Sequence, residues 1–143
     1  MATQILDPVI DYFGDIVLTY GFCSRELAKH ISGRIAPALD QHASYELNTR
    51  WQPICKRLGA AVDFIVTDES MFEVAQWIVQ HTPFDRLYFY GDRRPLHVSY
   101  GPDNRQEIVI MKENCDGRRI PQVIAAEAFV ALSIYPLHVR NGD

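Results

Sequence analysis

Residues 83–101 read PFDRLYFYGDRRPLHVSYG, from Pro83 to Gly101, and their pattern decides the fold. Two runs rich in aromatic and β-branched residues, 86–90 and 95–100, flank the turn residues Gly91, Asp92, Arg93 and Arg94, which predicts two strands. Side chains alternate along a strand, so Leu96, Val98 and Tyr100 share one face and Pro95, His97 and Ser99 the other. The bulky face is expected in the core, leaving His97 on the more open side. A lone strand histidine is ordinarily structural, so its meaning depends on what stands beside it.

The stretch 59–66, GAAVDFIV, has the same parity: Val62, Phe64 and Val66 face one way, and Asp63 faces the other with Ala61 and Ile65. A carboxylate flanked by Val and Phe is costly unless paired, hydrogen-bonded or metal-bound. Each strand therefore offers one metal-competent side chain beside small neighbours. A third strand is expected over about 106–111 and another over 15–20, DIVLTY, bounded by Gly14 and Gly21.

Helices fill the remainder. Asp7-Pro8 is a cap followed by a first-turn proline, predicting a helix over 8–13 that stops at Gly14. Ser24 caps a second helix to about residue 31, and Ser70 to Glu73 form a capping box for a third to about His81. Phe72, Val74, Ala75, Ile78 and Val79 give that third helix a broad apolar face. Residues 121–132 predict a terminal helix. The apolar run 123–137 can close the core or form a dimer contact. Residues 33–58 show no periodicity, the signature of a functional or disordered loop. The sum is an α+β single domain with helices packed on a mainly antiparallel sheet.

Composition narrows the function. A chain of 143 residues suits one domain, and a net charge of −4 with mixed signs offers no basic stripe for phosphates, so nucleic acid is not the expected partner. No run of 18 apolar residues occurs, so no membrane partner is expected, and residues 1–15 lack the features of a signal peptide. Cys23, Cys55 and Cys115 are odd in number and widely spaced, which fits a reducing compartment and a cytoplasmic protein.

The series ILDPVIDYFGDIVLTYGFCSREL, GAAVDFIV and PFDRLYFYGDRRPLHVSYG resembles the zinc D-alanyl-D-alanine carboxypeptidase family, whose fold is shared with the Hedgehog signalling domain. The resemblance covers about residues 5–111. It implies that Asp63, through Gly59-x-Ala61-x-Asp63, and His97 are zinc ligands. The family's first zinc histidine falls at Lys56 by strict spacing, and an ammonium is no zinc ligand. Asp40-Gln41-His42 is similar to the family's Ser-Gln-His, displaced by an insertion, which makes His42 the favoured first ligand and Cys55 its rival.

A His42, Asp63 and His97 set would leave a fourth position on one zinc per chain for water, implying hydrolysis of a peptide or related amide bond. The family's acid, three residues before the last histidine, is replaced by Arg94, so Asp92 is the candidate general base. Tyr88 and Tyr90 are candidate oxyanion donors. Cys23 stands where the family has a carboxylate-gripping arginine, leaving Arg25 as the nearby substitute. Phe84, Tyr88, Phe89, Tyr90 and Tyr100 line either a groove or the core, and His30, His81 and His138 read as surface residues. The alternative is a catalytically degenerate member of the fold, a binding or assembly module with or without structural zinc.

Overall fold

The computed structural model describes residues 1–31 and 38–133. The expected surface residue His138 and the end of the apolar run 123–137 lie outside them. A mixed α/β domain emerges: a six-stranded sheet with three of the four described helices packed on one face. The strands are β1 (Ile16–Tyr20), β2 (Ala60–Val66), β3 (Arg86–Phe89), β4 (Leu96–Tyr100), β5 (Glu107–Glu113) and β6 (Arg119–Ile124). The helices are α1 (Asp7–Phe13), α2 (Arg25–Ala28), α3 (Met71–His81) and α4 (Ala126–Val130). None of the described helices is long and apolar enough to cross a membrane.

The sheet order is β1-β2-β4-β3-β5-β6, and every pairing is antiparallel except β3 with β5. Phe64, Val66, Leu87, Phe89, Leu96, Val98, Ile108 and Ile110 point into the core, where they meet Ile5, Val9 and the buried face of α3. That face comprises Met71, Phe72, Val74, Ala75 and Ile78, while Val79 packs at its margin. The aromatic series divides: Phe84 and Phe89 are core, Tyr100 packs at its edge, and Tyr88 and Tyr90 belong to the opposite face.

Three local expectations are corrected. Asp7 is a helical residue and not a cap, because a π-type turn over Ala2–Leu6 precedes α1 without a break and buries Ile5. α2 is one turn long; Ser24 does cap it, accepting from the Leu27 N–H at 3.1 Å. The helix expected over 121–132 is instead strand β6 followed by the short α4. Ile120, Val123 and Ile124 suit a pleated strand, and Pro121 is tolerated because an edge strand is paired on one side only. α4 then closes the core with Phe129, whose ring lies 5.4 Å from Phe72 and 6.1 Å from Phe89.

The parallel pair requires the segment between β4 and β5 to pass across the start of β3, and Asp85 holds that crossing. Its carboxylate accepts from Arg86 Nη1 at 2.7 Å, Gln41 Nε2 at 2.9 Å and the Arg105 N–H at 3.0 Å. Its own N–H donates to Ser99, and its carbonyl accepts from Glu107. Arg86, also buried, donates through Nε to Glu107 at 3.1 Å. Removing one partner of a buried charged set leaves the others uncompensated, so Asp85→Ala should lower unfolding free energy by about 3 kcal/mol. Urea denaturation checks this, and a loss below about 1 kcal/mol would show the network to be slack.

Candidate metal centre

Register builds one row of side chains across the open face of the sheet. Asp63 pairs with His97, and His97 with Tyr88. A register shift between Leu18 and Tyr20 adds Tyr20 to the row opposite Asp63. The parity expected for Asp63 and His97 is therefore the parity found.

His42 descends onto this row from a 3-10 turn, Gln41–Ala43. Three contacts hold it. Its N–H donates to Asp40 Oδ1 at 2.9 Å, its carbonyl accepts from Cys23 N–H at 2.9 Å, and its ring Nδ1 lies 2.9 Å from the Gly21 carbonyl. A carbonyl only accepts, so Nδ1 carries the proton and Nε2 is left to face the row. The His42 side chain is 5% exposed, against 13% for His97 and 26% for Asp63.

His42 Nε2 lies 3.1 Å from both Asp63 Oδ1 and His97 Nδ1, and the latter two are 2.7 Å apart. One proton on His97 Nδ1 satisfies the short contact to Asp63. In a neutral arrangement that single proton has two acceptors to serve, Asp63 Oδ1 and His42 Nε2, so three lone-pair atoms crowd around one hydrogen. An added proton or a cation among them would relieve that crowding. Ligands on a tetrahedral ion with bonds of ~2.0 Å stand ~3.3 Å apart, so an opening of a few tenths of an ångström would seat a metal. Among the described residues this is the group of histidine, cysteine and carboxylate side chains that could hold a metal ion. The Gly21 carbonyl behind His42 is the outer partner that fixes a metal-binding tautomer.

Burial acts to raise the Asp63 pKa, but hydrogen bonds from His42 and His97, with their charge, outweigh it and hold the group at about 2. Burial, then the charge of Asp63, pushes the Tyr90 hydroxyl up. Burial likewise raises Tyr20, whose hydroxyl sits beside Cys23 without a hydrogen-bond partner among the described residues. The Tyr20 ring packs edge-on against His42, with centroids 4.4 Å apart. Both phenols stay protonated donors near neutral pH.

A cavity of about 340 Å³ opens over the triad, lined by Tyr20, Asp40, Arg57, Tyr88 and Tyr90 among others. Tyr88 and Tyr90 both line this cavity, and Arg57 approaches the Tyr88 hydroxyl at 3.5 Å. Arg25 is exposed and does not line the cavity; its N–H meets Glu46. Cys55 is buried outside the metal group, and Lys56 is exposed. Asp92 accepts from the Ser70 hydroxyl and from the Phe72 N–H at 3.1 Å, so its carboxylate caps α3. Sequence reasoning passed over Tyr20, Asp40 and Arg57. Asp40 stands two residues before His42, within a triplet singled out for its histidine alone.

Because the folded Asp63 pKa lies below its ordinary value of 3.8, the interaction stabilises the metal-free fold fully above about pH 4 and is lost as pH falls through about 2. The stability difference between wild type and Asp63→Asn, measured by denaturation in chelator, should therefore shrink across that window. A difference independent of pH would contradict the ion-paired geometry.

No family model, curated protein or solved structure matches this chain.

Proposed function

We propose that the protein is a zinc-dependent hydrolase, a divergent relative of the D-alanyl-D-alanine carboxypeptidases, that cleaves a peptide or related amide bond. The observation that carries the reading is the close convergence of His42 Nε2, Asp63 Oδ1 and His97 Nδ1 under an open cavity. Two nitrogens and one carboxylate oxygen suit zinc, with a position left open on the cavity side. Zinc held there would supply a hydroxide nucleophile near neutral pH and polarise the scissile carbonyl.

The remaining roles fall to this chain's own residues. Besides Asp63, Asp40 is the carboxylate lining the cavity. It takes the general-base role expected of Asp92, receiving the water proton and delivering it to the leaving amine. Tyr20 stands at the same wall, where its ring packs edge-on against His42 and steadies that imidazole. Tyr88, its oxygen approached by Arg57, and Tyr90 can donate to an oxygen developing negative charge.

A second reading, a binding module that retains the metal without turnover, is favoured by one observation: Arg94 occupies the position at which the resembled family carries its acid.

Elemental mass spectrometry on protein purified without an affinity tag should find one zinc per chain, lost in both His42→Ala and His97→Ala. Absence of zinc after zinc is supplied would end the metal reading. The zinc-loaded protein should hydrolyse members of a panel of N-acylated dipeptides, and Asp40→Asn should keep its zinc while kcat falls by about 10²-fold or more. Full zinc with no turnover across the panel would support the binding module. Asp92→Asn, by contrast, should lower thermal stability by about 1 kcal/mol through the lost cap and leave kcat within about twofold.

A further inference from the structure

A second cavity, of about 300 Å³, adjoins the first across Asp63 and Tyr90, which line both. Its other walls are Arg94, Pro95 and Arg119. Arg94 comes from the turn between β3 and β4, and Arg119 from the first position of β6, the strand that sequence periodicity did not anticipate. The Arg119 guanidinium lies over the Tyr90 ring with its carbon 5.1 Å from the centroid, a cation–π seat that holds the fork in one place. The ion pairs of the described residues engage Lys29, Arg86, Arg105, His42 and His97. Arg94 and Arg119 join none of them, although Arg119 stands opposite Glu113 in the β5–β6 register.

Both side chains are exposed, and they line one hollow in a chain with 18 acidic and 14 basic residues. The single acid lining the hollow is Asp63, and its carboxylate is turned onto the two histidines.

We propose that Arg94 and Arg119 form an oxyanion subsite that anchors a carboxylate or phosphate group of the substrate beside the metal centre. The proposal deepens the hydrolase reading and rests on it for the word substrate: the class is an amide whose anionic end sits between the arginines, in the hollow that adjoins the one over the triad. Guanidinium forks match the planar carboxylate and the phosphate face, which an ammonium cannot do as well.

The test follows the side-chain Nε–H signals of Arg94 and Arg119 by NMR in metal-free and zinc-loaded protein. The probes are N-acetyl-alanyl-alanine, its C-terminal amide, and inorganic phosphate. The free acid or phosphate should shift both signals in both forms of the protein, and the tighter of the two names the source of the oxyanion. The amide should leave them unmoved. Arg94→Gln and Arg119→Gln should each weaken anion binding about tenfold or more, with Arg119→Lys intermediate and the ion-paired Arg105→Gln unchanged. Equal binding of the acid and its amide would overturn the subsite. So would anion binding that needs zinc and ignores Arg119→Gln, which would assign the anion to the metal and leave the metal reading standing. Arginine-dependent binding in a protein that takes up no zinc would uphold the subsite while the hydrolase reading fails.

Discussion

The pairing of Asp63 with His97 across β2 and β4 is the constraint on which the site depends. A slip of one residue in either strand would turn one of them into the core. The slip is prevented from the other side of the sheet, where Phe64 opposes Leu96 and both are fully buried. At the strand's start, Gly59 adopts φ +90°, and a Cβ there would collide with the Tyr100 carbonyl, so only glycine lets the chain enter β2 at this register. Hydrophobic burial therefore selects the register, and the register places the two side chains. Neither residue needs to stabilise the fold to be held rigidly by it.

The third member of the group, His42, comes from an irregular segment and has to be held by other means. Gln41 bridges the Leu58 carbonyl at 2.8 Å and the Asp85 carboxylate at 2.9 Å, joining the segment's two ends to the start of β3. Asp40 fixes the backbone of His42, and the Gly21 carbonyl fixes its ring. The buried charges of Asp85 and Arg86 are costly in isolation, but each is surrounded by partners, and they serve both the chain crossing and the seat of His42. A fault at Asp85 would thus reach the metal group through Gln41 and one backbone step.

The strands β1 to β5 and helix α3 were legible because a period of two and good caps mark them locally. The parallel pairing of β3 with β5 was not, since it is set by a crossing that depends on Asp85 and not on any local pattern. β6 was hidden because the apolar residues of strand and helix run together from Ile120 to Leu132, with no glycine between them. Within the site, Asp63 and His97 could be read from parity. His42 was reached through a displaced triplet and by no periodicity. Tyr20 could not be read at all, because a bulge in β1 decides which way it faces. The turn chemistry around Asp92 was legible, but not that its carboxylate reaches back to cap α3.

Charge gives the arrangement its direction. The chain as a whole is negative, yet the two adjoining cavities gather Arg57, Arg94 and Arg119 against Asp40 and Asp63, and a bound dication would leave them strongly positive. Low-dielectric walls focus such a field into the opening, so an anionic ligand is drawn in from a surface that otherwise repels it. The anchor lies apart from the group that would react, which is where binding energy can position a substrate without stabilising its ground state at the reacting carbonyl. Tyr90, kept protonated by burial, lines the same cavity and would offer a reacting carbonyl a neutral hydrogen-bond donor instead of further charge. On the hydrolase reading, cations at the distal end and a neutral donor near the three converging ligands would divide recognition from chemistry along one open face of the sheet.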